Sequence, residues 1–194
     1  MQLKNLKTNY LGKTNIFYKK IDSTQTEIWR LIKNNNIQNG TLIMADIQTN
    51  GKGTHGRIWH TDEGKNIAFS FFVETNCKPS LLDGITIEIA SILIKIFKEK
   101  YNINLKIKEP NDIFYNDKKI GGILTESKVN SEIIKFLVIG IGLNTNQMKF
   151  SKDIQNIATS VKKEFNIEIN NKEIIEEFCY EFEETLKRRI DIWK

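Results

Sequence analysis

The sequence predicts an α+β fold, a mixed and largely antiparallel sheet with helices packed on it, and three observations carry that prediction. From residue 103 the chain alternates short apolar runs with turn formers: I-N-L-K-I-K, E-P-N-D, I-F-Y, N-D-K-K, I-G-G-I-L-T-E-S, V-N-S-E, then I-I-K-F-L-V-I-G-I-G-L-N. That alternation is the pattern of an antiparallel meander. Two longer segments, near 80–100 and 171–190, instead space apolar residues at helical intervals. Between Ala45 and Trp59 a glycine-rich stretch joins two strand-like runs, with no helix pattern after it.

Residues 15–21 (N-I-F-Y-K-K-I) read as the first strand. D-S-T-Q-T-E then starts a helix, with Asp22 or Ser23 as cap and Glu27 placed for a capping box. Ile28, Leu31 and Ile32 form its apolar face, and Asn34-Asn35-Asn36 ends it. Strands near 41–46 and 66–73 flank the glycine loop. After Lys78-Pro79-Ser80 a helix over roughly 80–100 is apolar almost all round (Leu81, Leu82, Ile85, Ile89, Ile92, Leu93, Ile96, Phe97), which predicts a core helix against the sheet. The tail predicts an amphipathic helix with Ile174, Ile175, Phe178, Phe182 and Leu186 on one face. No repeat, low-complexity segment or linker interrupts the chain, so one domain over 1–194 is expected.

Composition excludes several classes. In 194 residues, 40% hydrophobic and 27% charged content is that of a soluble globular protein. Every apolar run is broken by charge well before the ~18 residues of a membrane span. The first ten residues lack the apolar core of a secretory leader. Cys77 and Cys179 lie far apart without metal-ligand spacing and read as free thiols of a cytoplasmic protein. The net charge of +5 favours acidic partners, yet no zinc knuckle, RNP-like strand or helix-turn-helix accompanies it, so nucleic acid is not an expected partner.

The loop A-D-I-Q-T-N-G-K-G-T-H-G-R-I-W carries the chemistry. Gly51, Gly53 and Gly56 let the backbone approach a ligand, and Lys52 and Arg57 add positive charge, a combination suited to phosphate or carboxylate. Its spacing is a literal G-x-G-x-x-G, but a dinucleotide fingerprint requires a helix at the third glycine, and R-I-W-H-T-D-E-G-K-N is turn-rich instead. The G-K-[ST] of a P-loop and the V-A-I-K, H-R-D and D-F-G segments of a protein kinase are also missing. Taken alone, a glycine-rich hairpin without a ligand fits the loop equally well.

Four segments taken together go further: D-S-T-Q (22–25), Q-T-N-G-K-G-T-H-G-R-I-W (48–59), K-E-P-N-D (108–112) with K-K-I-G-G-I-L-T-E (118–126), and G-I-G-L-N-T-N (140–146). In this order and spacing, with A-T-S (158–160) expected just before the last helix, the chain resembles the catalytic domain of biotin protein ligases over roughly residues 15–190. The resemblance implies a fold related to class II aminoacyl-tRNA synthetases and shared with lipoate ligases. It implies a two-step reaction, in which biotin and ATP form biotinyl-5′-AMP and pyrophosphate before a lysine of a carrier domain takes the biotinyl group. The carrier would be the biotin carboxyl carrier protein or domain of acetyl-CoA carboxylase, and Mg²⁺ would accompany ATP.

Residue by residue, the resemblance assigns Lys119 to bridge the biotin carboxylate and the α-phosphate, with Arg57 as its catalytic companion. Ser23, Thr24 and Gln48 would bond the ureido ring together with Gly51 and Lys52, while Trp59, Gly122 and Leu124 line a slot for the acyl tail. A side chain at Gly122 would occupy that slot. Gly53, Lys108, Asn111 and Asn144 would join Arg57 and Lys119 around the nucleotide, and Asp112 would hold Mg²⁺ or orient the nucleotide. Read singly, Ser23 is a helix cap, Asn111-Asp112 a turn, and Lys119 a solvated hairpin lysine.

Three departures stand out. Glu109 replaces the family's tryptophan in K-W-P-N-D, Gln25 replaces an asparagine at the helix start, and Thr54-His55 stands where basic residues are common. The last change implies weaker retention of the adenylate and more off-target acylation. The resemblance includes no N-terminal DNA-binding domain and no complete C-terminal SH3-like domain, and it leaves open both a homodimer through the sheet edges and the choice of carrier. A lipoate or octanoate ligase of the same fold, or a non-catalytic biotin-binding relative, is the alternative reading.

Overall fold

Alternation along the central strands sorts side chains onto two faces, and each face is covered differently. The computed structural model describes Leu3 and residues 5–190. In chain order these form β1 (Asn15–Ile21), α1 (Thr24–Lys33), β2 (Leu42–Gln48), β3 (Gly51–Lys52), β4 (Ile58–Trp59), β5 (Asn66–Cys77), α2 (Ile85–Tyr101), β6 (Lys106–Lys108), β7 (Asp112–Tyr115), β8 (Lys118–Asn130), β9 (Ile133–Asn144), α3 (Val161–Phe165) and α4 (Asn171–Arg189). Seven strands make one sheet in the order β1-β2-β5-β9-β8-β7-β6, and β3 pairs with β4 as a separate ribbon. β1 runs parallel to β2 and the other sheet neighbours are antiparallel, as the meander predicts.

On one face Ile67, Phe69, Phe71 and Val73 of β5 and Leu137, Ile139, Ile141 and Leu143 of β9 are buried in the main core. α2 and α4 cover them, α4 with the five residues expected of it: Ile174, Ile175, Phe178, Phe182 and Leu186. Phe178 lies with its ring centroid 5.7 Å from that of Phe69 and 5.4 Å from that of Phe182. The other face is only half covered. Ile28 of α1 packs there with Ile43, Phe72 and Val138. Further along, the residues of the same parity are Ala68 and Ser70 on β5 and Gly140 and Gly142 on β9, which leave a trough beside the start of α1.

Several expectations are corrected. The helix near 80–100 begins only at Ile85, because Pro79–Leu82 forms a 3₁₀ turn in which Leu81 is 45% exposed. α2 is not apolar all round either, since Ser91, Lys95 and Lys98 face outward. The capping box does not form: Ser23 accepts from Thr26 N at 3.3 Å, but Glu27, one residue too far along, meets Arg30 and the Tyr18 hydroxyl. A-T-S precedes the short α3 and not the last helix, with Ser160 as its cap. Cys77 and Cys179 are buried and unpaired, and burial raises both thiol pKa values. Among the described residues no helix is long and apolar enough to cross a membrane. The N-terminal leader reading rests partly on Met1, Gln2 and Lys4, and the chain's end is at Lys194; these positions lie outside the described residues.

The N-terminal segment is tied down by a buried carboxylate. Glu183 of α4, 1% exposed, accepts from the backbone N–H groups of Asn9 at 2.8 Å and of Tyr10 and Leu11 at 2.9 Å each, and Lys187 lies 3.0 Å away. Burial alone would raise the Glu183 pKa, but these N–H groups and Lys187 outweigh it and hold it below its ordinary value of 4.5. A lowered folded pKa means that the carboxylate contributes its full stability above the ordinary value and loses it as pH falls through the folded one. Glu183→Ala should destabilise the chain by about 3 kcal/mol, through three orphaned N–H groups. Urea titrations should also show Glu183→Gln with a weaker loss of stability on acidification than wild type; parallel acid limbs would remove Glu183 from the explanation.

Candidate active site

The trough is the floor of a cavity of about 380 Å³ on the sheet face, enclosed by the start of α1, the end of β2, the 49–61 loop and the 147–158 segment. Register explains the floor. Gly142 stands between Ala68 of β5 and Gly122 of β8, and Gly140 between Ser70 and Leu124. Glycines at alternate positions of the central strand thus clear two adjacent rows on one face. A Cβ on Gly142 would lie 2.3 Å from Cε2 of Trp59, so the indole rests directly on the strand backbone. The sequence reading missed Gly140 and Gly142 as site residues, although the two-residue period of I-G-I-G was there to be used.

At one end the cavity is polar. Gln48 Oε1 accepts from Thr24 N at 2.8 Å and from Thr24 Oγ1 at 3.1 Å, and Thr24 Oγ1 lies 2.8 Å from Ser70 Oγ. Ser23 lines this end too, though its hydroxyl already caps α1. From the sequence Gln25 is only helix-start chemistry. In fact its side chain is buried, lines the cavity and bonds Glu126 and the Val138 carbonyl. Ser70 was also missed, because a serine inside an apolar strand carries no local signal.

Lys119 occupies the middle. Its Nζ lies 2.6 Å from Asp112 Oδ1 and 5.8 Å from the centre of the Trp59 ring, with the side chain 24% exposed. It is therefore paired, not the solvated lysine that a hairpin alone suggests. Its backbone is fixed from both sides: Lys119 N donates to Ile157 O at 2.8 Å and Thr159 N donates to Lys119 O at 2.9 Å. A Cβ on Gly122 would come within 3.1 Å of Lys119 Cε and Nζ and 3.5 Å of Asp112 Oδ1. Gly122 lines the cavity and also makes room for the Lys119–Asp112 pair. Leu124 lines the floor as expected.

The rim is cationic. Lys52, Gly53 and Arg57 line it, and Arg57 is held by its own loop, donating to Thr54 O at 3.2 Å and Thr54 Oγ1 at 2.7 Å. Among the described residues neither Lys52 nor Arg57 has a carboxylate partner, which leaves both charges for an anion. Asn144 reaches the cavity, yet its side chain is already committed, accepting from Asn66 at 2.9 Å and donating to Thr159 O at 3.1 Å. Its work in this structure is to hold 158–160 beside Lys119. Asn111 likewise lines the cavity while donating to Ile123 O at 3.0 Å.

Three expected site residues fall outside the lining. Gly51 sits behind it, where a Cβ would lie 2.4 Å from Trp59 O, so its lack of a side chain serves the β3–β4 pairing. Lys108 lies on the edge strand β6 with Nζ 4.7 Å from the Phe114 ring centre, away from the cavity. Asp112 touches the site through Lys119. Among the described residues no group of three or more His, Cys, Asp or Glu is arranged to hold a metal.

A sheet-face cavity with a hydrogen-bonding end, an apolar floor, a cationic rim and a lysine among its lining residues is the candidate site of this α+β protein. The chain belongs to the biotin/lipoate A/B protein ligase family, whose family model matches residues 17–144. It is 34% identical over 180 residues to the bifunctional ligase/repressor BirA of Bacillus subtilis, covering 92% of this chain and 55% of that protein. It is 28% identical to the biotin–protein ligase of Homo sapiens over 85% of this chain and 23% of that one. The biotin protein ligase of Aquifex aeolicus, solved in complex with biotin and ATP, aligns with a TM-score of 0.76 at 30% identity, over 93% of this chain and 73% of that chain. The chain spans about half the length of the curated BirA relative from B. subtilis.

Proposed function

We propose that the chain is an ATP-dependent biotin–protein ligase, and the observation that carries this reading is the placement of Lys119 between the polar end of the cavity and its cationic rim. Biotin's ureido ring matches the amides and hydroxyls of Thr24, Gln25, Gln48 and Ser70, and its acyl tail matches the floor of Gly122, Leu124 and Gly142. The tail carboxylate then reaches Lys119. ATP enters on the Lys52–Arg57 side, with Gly53, Asn111 and Asn144 around it.

In the first step a biotin carboxylate oxygen attacks the α-phosphorus of ATP. The bond to the bridging oxygen breaks and pyrophosphate leaves, giving biotinyl-5′-AMP. In the second, an uncharged carrier lysine amine attacks the acyl carbon; the amide forms, AMP leaves and the amine loses a proton. Both steps crowd negative charge at one point, where a fixed ammonium and a guanidinium act electrostatically. A magnesium ion arriving with ATP would take most of its ligands from phosphates and water, with Asp112 as a carboxylate at hand, and would neutralise phosphate charge. The carrier is read as the biotin carboxyl carrier domain of acetyl-CoA carboxylase, in the cytoplasm.

The test is exchange of labelled pyrophosphate into ATP with biotin or lipoate as the acid. Biotin-dependent exchange supports the reading; exchange with lipoate alone would move the chain to the lipoate branch, and none with either would leave a binding protein. With Thr54-His55 in the loop, labelling of a bystander protein should exceed that of a relative with a basic loop, and equal labelling would remove that effect.

A further inference from the structure

We infer that Glu126 is a positioning residue for substrate recognition: it holds the carboxamide of Gln25 so that an acceptor oxygen, and not an N–H, is presented at the polar end of the cavity. The inference rests on the reading of that cavity as the biotin site. Gln25 is 3% exposed, and its Nε2 donates to Glu126 Oε2 at 2.8 Å and to Val138 O at 3.1 Å. Both partners only accept, so a flipped amide would set its oxygen against two oxygens. The direction of Oε1 is therefore fixed. That oxygen is buried without a donor, and it lies where a Cβ on Gly140 would come within 2.6 Å, against the cavity floor.

Glu126 is built for this task. It is half-buried on β8, beside Val138 in the register, and Oε2 accepts a second N–H from Trp29 at 2.8 Å. No lysine or arginine among the described residues pairs with it, so its charge is met by the two N–H groups, which aligns both donors toward it. Glu126 does not line the cavity and acts only through Gln25.

The neighbouring amide is oriented by the same logic. Gln48 Oε1 accepts from the Thr24 backbone N–H, which leaves Nε2 on the side of Gly51, where a Cβ would come within 2.9 Å of it. The polar end thus offers Gln25 Oε1 as its oriented acceptor. A cyclic urea supplies N–H groups to match it, whereas a dithiolane ring supplies none. An unmatched buried acceptor is costly, so this oxygen discriminates between the two acids.

Calorimetric titration of the full chain with biotin and with lipoate tests the inference, alongside the KM for ATP and a thermal melt for each variant. Glu126→Ala should weaken biotin binding about tenfold, the loss of one oriented hydrogen bond, with ATP KM unchanged and the preference over lipoate reduced. Glu126→Gln, which keeps the volume and one accepting oxygen, should fall between that variant and wild type. In a Gln25→Ala background, Glu126→Ala should add little. Wild-type biotin affinity in both Glu126 variants, or an equal loss with and without Gln25, would overturn the inference. Wild-type protein that binds no biotin would overturn the reading of the cavity itself, and this inference with it.

Discussion

Lys119→Ala should lower biotin-dependent pyrophosphate exchange by about a hundred- to a thousandfold, the range seen when one preorganised charge or donor is removed from a developing anion. The substitution removes the ammonium at the centre of the cavity but leaves the strand intact, because Ile157 and Thr159 bond the Lys119 backbone and not its side chain. Asp112 loses its partner, yet it is 17% exposed and keeps access to water, so melting should shift by only a few degrees. Lys119→Arg should recover little, since a planar fork cannot replace a point charge packed against Gly122. Retention of more than a tenth of wild-type exchange in Lys119→Ala would place the charge stabilisation elsewhere, with Arg57 and Lys52 as the remaining rim cations.

Gly142→Val should abolish measurable biotin binding. The first atom of any side chain there meets the Trp59 indole, with Cε2 at 2.3 Å and Nε1 at 2.7 Å. The strand cannot yield, because β9 is paired on both sides, to Ala68 and to Gly122. The indole must leave the floor, and the added methyls fill the row that a ligand would use. Overpacking of this kind costs about 1–3 kcal/mol in stability, so the protein should still fold. Gly56→Ala makes a useful comparison: no atom lies within 4 Å, but φ is +73°, so it should cost about 1 kcal/mol by backbone strain and leave biotin affinity near wild type. Calorimetry separates the two, and equal affinities in both variants would detach Trp59 and Gly142 from binding.

Gln25 and Lys119 illustrate how far the sequence reached. It identified both segments, since helix starts, glycine loops and hairpins leave local signals. Lys119 stood out as the central charge only through the family resemblance of K-K-I-G-G-I-L-T-E, since read singly it is a solvated hairpin lysine. The sequence could not show that Gln25 faces Glu126, because the two are 101 positions apart and meet only when β8 and β9 lie beside α1. Lys108 shows the converse. It is close to Asn111 in the chain, yet it belongs to an edge strand, turns to Phe114 and does not line the cavity.

By itself, then, the sequence determined the α+β class, the antiparallel meander and the apolar face of the last helix, because each follows from the spacing of residues within a dozen positions; the segments that meet at the cavity were legible only through the family resemblance of all four together. The tertiary structure alone decided which face of the sheet stays open, that Gly140 and Gly142 clear its floor for Trp59, and that Lys119 rests on Asp112 while Asn144 is spent on Thr159. Those facts depend on strand order and register. A one-residue slip would turn every glycine of the floor into the core, and no local pattern specifies it.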